Sequence, residues 1–168
     1  MNNCTGITSL PEGLRFGQDL NLRRCTGLTS LPEGLKVGES LSLSGCTGIT
    51  ALPEGLKVNG NMTLTDCTGL TALPEGLQVG WNLNLEVCTG ITALPESVFE
   101  WPKPNDDDIE KHNIYLAGSG LSEETLDWLR NQEFPYLRFH VDRARQDAFV
   151  SNAFEKLSEA RYNRAVET

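Results

Sequence analysis

Hydrophobic runs long enough to cross a membrane are missing from this sequence, since no apolar stretch approaches the ~18–20 residues of a span. Histidine is scarce, and the only two in the chain are His112 and His140. Basic residues are in the minority, with 14 Lys and Arg against 23 Asp and Glu, which gives a net charge of −9. That balance argues against nucleic-acid binding, which needs a basic surface, and is typical of a chain whose charge favours solubility.

Five cysteines recur every 21 residues, at Cys4, Cys25, Cys46, Cys67 and Cys88. Their odd number and equivalent positions do not fit a secreted disulfide framework and favour a reducing compartment. One interpretation is a structural ladder of small buried side chains. The other is a metal or nucleophile site, but the cysteines lack both the clustered spacing of metal ligands and a nearby histidine base. We therefore expect a buried, reduced structural ladder.

The cysteines mark a repeat, and a fixed period of this length is typical of a solenoid. In each copy an alternation such as Leu41-Ser42-Leu43 precedes the cysteine and predicts a short strand with one buried face. Strands one coil apart are expected to stack in parallel in a right-handed solenoid, with their leucines in columns. The predicted strands are residues 20–22, 41–43, 62–64, 83–85, 114–116 and 137–139.

The other side of each coil carries Leu-Pro-Glu-Gly-Leu, as in residues 31–35. Proline lacks an N–H donor, and glycine two residues later suits a turn with positive φ. This segment therefore predicts an extended or turn-like side with at most one 3₁₀ turn, and not a helix.

The repeat resembles a leucine-rich repeat, whose pattern is L-x-x-L-x-L-x-x-N/C-x-L. The resemblance covers residues 1–100, with Cys in place of the usual Asn and one extra residue before the next Leu or Ile. The Leu-Pro-x-x-Leu segment is similar to the short bacterial repeats of type III secreted effectors, which include the IpaH-type ubiquitin ligases. The resemblance implies an α/β solenoid with short parallel strands on the concave face, a turn or 3₁₀ convex side, and a C-terminal helical cap.

A bacterial effector would be cytoplasmic, or delivered to a host cytosol without a classical signal peptide, and Met1 leads directly into the repeat. In IpaH-type ligases the catalytic cysteine belongs to a Cys-x-Asp motif in a separate domain. No cysteine here is followed by x-Asp, so we expect no enzyme activity from this chain.

The period is interrupted by a predicted loop near residues 99–112 and then returns. We assign residues 1–121 to the solenoid and 122–168 to a C-terminal cap with one further strand near 137–139, about 23 residues after Ile114. Acidic residues in the loop offer calcium ligands but lack the EF-hand spacing, so a solvated loop is favoured; they are Asp106, Asp107, Asp108 and Glu110.

Helix signals follow the last repeat. Ser122 is a suitable N-cap, Glu123 and Glu124 suit the first turn, and the helix is expected to end near Asn131. Residues 142–166 are predicted to form a long amphipathic helix. Its apolar face carries Phe149, Ala153, Leu157 and Ala160. This helix either covers the last coil or binds a partner or linking domain.

The leading functional hypothesis is a protein-binding module without cofactor or metal, since outward strand residues form one continuous surface. Arg23 and Tyr115 are the expected anchors, because interfaces favour Tyr, Trp and Arg. The predicted binding residues are Asp19, Asn21, Arg23, Ser42, Ser44, Thr63, Thr65, Asn84, Glu86 and Tyr115.

Three alternatives stay open. The chain could be the substrate-recognition part of an effector ubiquitin ligase without its catalytic domain. It could be an ice-binding solenoid, since the threonines that follow each cysteine, and those three residues later, form two regular columns. Self-association through an uncapped N-terminal edge is also expected if nothing precedes Met1, because bare strand edges pair with other chains.

Overall fold

The computed structural model describes residues 6–101 and 112–141, which form a solenoid of stacked coils. The Leu-x-Leu segments build one six-stranded sheet in which every neighbouring pair is parallel. Its strands, in spatial order, are β2 (Leu20–Asn21), β4 (Leu41–Ser42), β6 (Met62–Thr63), β8 (Leu83–Asn84), β9 (His112–Tyr115) and β10 (Leu137–His140). The parallel stacking predicted from the sequence is therefore confirmed.

Alternation decides which side chains enter the core. Leu41 and Leu43 are fully buried, whereas Ser42 between them points outward and is half-buried. The first four strands have two residues instead of the predicted three, but the hydrogen bonds continue beyond them, as where Leu22 N donates to Ser42 O at 2.9 Å. The leucine columns and Cys25, Cys46, Cys67 and Cys88 form one continuous core.

A second parallel sheet lies on the proline side of the coils, where the sequence predicted an extended or turn-like segment but no sheet. Its strands, in spatial order, are β1 (Arg15–Phe16), β3 (Lys36–Val37), β5 (Lys57–Val58) and β7 (Gln78–Val79). Each strand begins four residues after the proline, so the missing N–H does not interrupt the ladder. Gly34, at φ 68°, lies in the turn that precedes the strand β3, and its left-handed conformation reverses the direction of the chain there.

The fifth coil departs from this scheme because Ser97 replaces the turn glycine. Glu96–Val98 forms a 3₁₀ turn, and the Ser97 hydroxyl accepts a hydrogen bond from Gly76 N at 3.2 Å. The only 3₁₀ turn in the described part of the chain is therefore confined to this coil.

The structure describes both ends of the segment predicted as a loop near residues 99–112. Trp101 is buried, and its Nε1 donates to Leu77 O at 2.8 Å. His112 already belongs to β9, and its Nδ1 lies 2.8 Å from Trp81 O. The calcium hypothesis concerns Asp106, Asp107, Asp108 and Glu110, which lie outside the described residues.

The strand register corrects the alignment of the last coil. Ile114 pairs with Leu83, as the sequence indicates, but Phe139 and not Leu137 pairs with Ile114. Leu137 pairs with His112. A shift of two residues keeps every side chain on the same face, so alternation alone cannot distinguish the two registers.

The helix α1 spans Glu123–Asn131 and begins as predicted. Ser122 is its N-cap, and the Ser122 hydroxyl accepts from Thr125 N at 3.2 Å. Leu126 and Leu129 are buried against the core. The amphipathic segment 142–166 lies outside the described residues. Within the described ranges, no helix has the length and apolarity needed to cross a membrane.

Candidate functional site

The outward side chains of the six-stranded sheet form three columns, which together we call the six-stranded face. The first column is Asp19, Ser40, Asn61, Asn82, Asn113 and Arg138; the second is Asn21, Ser42, Thr63, Asn84, Tyr115 and His140; the third is Arg23, Ser44, Thr65, Glu86 and Ala117. Because strands of a sheet lie about 4.8 Å apart, each column presents one side chain per coil at that interval.

The first column is a hydrogen-bonded ladder, which we call the asparagine ladder, and it links each coil to the next. The side-chain oxygen of one residue accepts a hydrogen bond from the main-chain N–H of the equivalent residue one coil later. Asp19 Oδ1 accepts from Ser40 N at 2.8 Å, and Ser40 Oγ accepts from Asn61 N at 3.2 Å. Asn61 Oδ1 then accepts from Asn82 N at 3.2 Å, and Asn82 Oδ1 from Asn113 N at 3.0 Å.

The asparagine side chains are also linked directly. Asn82 Nδ2 donates to Asn61 Oδ1 at 3.0 Å, and Asn113 Nδ2 donates to Asn82 Oδ1 at 2.9 Å. At the C-terminal end, His140 Nε2 lies 2.8 Å from Asn113 Oδ1. From Asp19 to Asn113 all donors therefore point towards the N-terminal end, and this part of the ladder has a single direction.

A second network fixes Glu86 on the surface. Asn84 Nδ2 donates to Glu86 Oε2 at 2.9 Å, and Glu86 N donates to Asn84 Oδ1 at 2.9 Å. Thr65 Oγ1 donates to the same Asn84 oxygen at 3.1 Å. The Glu86 carboxylate is thus held in place beside Asn84, which pairs with Tyr115 on the next strand.

Two aromatic rings close the second column. Tyr115 and His140 are paired in register, and their rings stack with centroids 4.5 Å apart and planes inclined by 13°. Both side chains are half-buried. Stacking of aromatic rings is favourable beyond the area that the rings bury, so each ring favours this orientation of the other.

The predicted binding residues differ in how far their side chains are exposed and in whether they are already hydrogen-bonded within the fold. Asn21, Ser42, Thr63, Thr65, Asn84, Glu86 and Tyr115 lie on the six-stranded face, as does the exposed Arg23. Asp19 is exposed, but its carboxylate is used within the fold by Ser40 N. Ser44 is only 8 % exposed, so it offers little surface for contact. The two expected anchors do not come together, because Arg23 lies in the first complete coil and Tyr115 four strands away.

Sequence reasoning missed His140 and the asparagine ladder. Position 140 lies outside the repeated coils, and its role depends on the corrected pairing with Tyr115. The ladder uses Asp, Ser and Asn at one position, so the residue type does not reveal it. The only available signal was a polar residue before every Leu-x-Leu segment.

The cysteines form a second ladder, inside the core. Three of the thiols donate to a leucine carbonyl one coil earlier: Cys46 to Leu22 at 3.0 Å, Cys67 to Leu43 at 3.1 Å and Cys88 to Leu64 at 3.0 Å. Cys25, Cys46, Cys67 and Cys88 are buried and carry free thiols, while Cys4 lies outside the described residues.

This burial makes the thiols poor nucleophiles. Desolvation raises the pKa of Cys46, and it raises the pKa of Cys67 to about 12 and that of Cys88 to about 11. A thiolate is the reactive form and cannot donate the hydrogen bond to leucine. Within the described ranges, no group of three or more His, Cys, Asp or Glu side chains is placed to hold a metal ion.

The threonines form two exposed columns on a different side of the coil. The following glycine brings adjacent coils close together there, since a Cβ on Gly69 would overlap Thr47 O. In the second column, the hydroxyls of Thr29 and Thr71 lie 3.4 Å from the carbonyls of Thr8 and Thr50. The exposed members are Thr26, Thr47, Thr68 and Thr89, and Thr8, Thr29, Thr50, Thr71 and Thr92.

Comparison with known proteins gave no match to a family model, a curated protein or a solved structure.

Proposed function

We propose that this chain is a leucine-rich repeat protein and that its six-stranded face binds a protein partner. The hydrogen-bonding role of the cysteines supports the repeat class, because the leucine-rich pattern places Asn or Cys at this point after the strand. Here the Cys67 thiol links its own coil to Leu43 of the preceding coil.

The observation that carries the binding proposal is the rigidity of the six-stranded face. Its side chains are fixed from below by the leucine core and from the side by the asparagine ladder. A surface that is already ordered loses little conformational entropy on binding. The stacked Tyr115 and His140 rings add the kind of aromatic surface that dominates binding energies in interfaces.

The test begins with the folded chain as bait for a binding partner and continues by calorimetry with single variants. Tyr115→Ala and Arg23→Ala should each reduce the affinity by about 1–2 kcal/mol if these residues are hot spots. Glu33→Ala and Glu54→Ala are the matched controls, because both side chains are exposed on the Pro-Glu-Gly turns. If the turn glutamates carry the affinity and the six-stranded face does not, the proposal is wrong.

The exposure of the threonine columns favours a second candidate, ice binding through the side that carries Thr47 and Thr68. Ice recrystallisation microscopy tests it directly. Inhibition by the wild-type chain should be lost in a Thr47→Lys, Thr68→Lys double variant. Thr63→Lys, on the six-stranded face, is the control and should leave inhibition unchanged. If the wild-type chain does not slow recrystallisation, this candidate is wrong.

A further inference from the structure

We propose that Glu86, Tyr115 and His140 form a hydrogen-bond-accepting patch that recognises an arginine side chain of the partner. This inference rests on the proposed function, because it names the chemistry by which the six-stranded face selects a protein. It concerns one end of that face, where the fixed Glu86 carboxylate follows β8 and the two stacked rings lie on β9 and β10, the next two strands of the sheet.

The direction of the asparagine ladder determines which nitrogen of His140 carries the proton. Main-chain N–H groups can only donate, so Asn113 N fixes the Asn82 side-chain oxygen as its acceptor. The Asn113 atom that faces this oxygen must then be the amide nitrogen, which leaves the Asn113 oxygen facing His140. His140 Nε2 is therefore the donor. In the neutral imidazole, Nδ1 is consequently an acceptor.

Two other acceptors belong to the patch. Asn84 Nδ2 bonds Oε2 of Glu86, so the carboxylate keeps its second oxygen for a partner. The Tyr115 hydroxyl and His140 Nδ1 have no hydrogen-bond partner within residues 6–101 and 112–141. The patch therefore offers one negative charge and two neutral acceptors on three successive strands of the same face.

Arginine matches this arrangement better than other side chains. Its guanidinium is planar, always charged, and carries five N–H donors and no acceptor. It binds carboxylates through paired hydrogen bonds and packs well against aromatic rings. The net charge of −9 adds a long-range attraction for a basic partner. Arg138 is a cation on the same face. It belongs to the first column and Glu86 to the third, so the second column separates Arg138 from the Glu86 carboxylate.

The experiment uses the full chain labelled with ¹⁵N and two synthetic probes. One is the blocked peptide Gly-Ser-Arg-Ser-Gly, and the other replaces arginine with citrulline, which has nearly the same shape without the charge. We expect the arginine peptide to shift the resonances of Glu86, Tyr115 and His140. The citrulline peptide should bind at least about fivefold more weakly, since it lacks the ion pair. Equal binding of the two peptides would overturn the inference.

Conservative variants keep the fold while removing single acceptors. Glu86→Gln removes the charge and retains an oxygen for Asn84, and it should weaken the arginine peptide about fivefold. Tyr115→Phe removes only the hydroxyl and should cause a smaller loss. Glu54→Gln removes an exposed carboxylate from the opposite side of the coil and should change nothing. If Glu54→Gln weakens binding as much as Glu86→Gln, attraction is nonspecific and the inference is wrong.

The two proposals fail in different ways. If a protein partner depends on Tyr115 and Arg23 but the arginine peptide shifts no residue of the patch, the six-stranded face binds protein and the arginine inference is overturned. If the peptide binds the patch but the partner's affinity is insensitive to variants of the six-stranded face, the patch binds arginine but not through that partner, and the proposed function is wrong.

Discussion

The Sγ atom of Cys67 donates a hydrogen bond to Leu43 O, 3.1 Å away and one coil earlier. The same carbonyl also accepts from Cys46 N at 2.9 Å, so one oxygen joins two successive cysteines. The equivalent carbonyl of Leu64 accepts from Cys67 N and from the Cys88 thiol in the same way. The thiols thus connect the coils at a point that the strands do not reach.

Cys67→Ala should destabilise the fold by about 1–2 kcal/mol, because it removes this hydrogen bond and leaves a small cavity. Cys67→Ser should cost less, since Ser119 occupies the equivalent buried position in the coil with the insertion. Urea unfolding measures both. If the alanine variant is as stable as wild type, the thiol hydrogen bond does not contribute to stability.

Alkaline pH should destabilise the protein through the same thiols. An unfolded cysteine has a pKa of about 8.5. In the folded chain the pKa is raised to about 12 for Cys67 and about 11 for Cys88. Because the folded values are the higher ones, the stability is fully present below about pH 8.5 and is lost as the pH rises towards them.

The measurement is the urea midpoint between pH 7 and pH 10.5. A Cys67→Ser, Cys88→Ser double variant is the control, because hydroxyls do not titrate in this range and the decline should be shallower. Profiles of identical slope would contradict the assignment to the thiols.

The asparagine ladder should contribute to the stability of the fold where Asn82 and Asn113 join the coils on either side of the insertion. Asn82→Ala deprives Asn113 N of its acceptor and should cost about 1–2 kcal/mol in free energy of unfolding. Asn59→Ala is the matched control, because Asn59 is exposed on the opposite side of the coil. Equal effects of the two substitutions would show that the ladder hydrogen bonds are not the cause.

Val87 occupies a backbone conformation that suits glycine. Its φ is 60°, and Gly45, two coils earlier at the equivalent position, has φ 74°. A β-branched residue is strained in this region, and Val87 is 41 % exposed, so little burial offsets the strain. Val87→Gly should raise the thermal midpoint, and the reverse change Gly45→Val should destabilise the fold by about 1–2 kcal/mol. Both are measured by thermal unfolding, and a lower midpoint for Val87→Gly would contradict the strain.

Much of the solenoid could be predicted from the sequence, because Leu-x-Leu recurs often enough to fix the first five strands of the six-stranded sheet and their register. The strand Lys36–Val37 could not, since two residues contain no recognisable alternation. The position of Phe139 was missed because a two-residue shift preserves the buried face. The candidate site was predicted as a surface, but its chemistry depends on hydrogen-bond directions between coils, such as that of Asn113, which residue types do not encode.

The insertion after Trp101 shows that coils of different length can pair in this solenoid. Leu83 pairs with Ile114, 31 positions later, whereas Leu41 pairs with Met62, 21 positions later. Ten more residues therefore leave the strand pairing unaltered, and the segment is held at both ends by Trp101 on Leu77 O and His112 on Trp81 O. We therefore expect that residues grafted after Trp101 would leave the pairing of Leu83 with Ile114 unchanged.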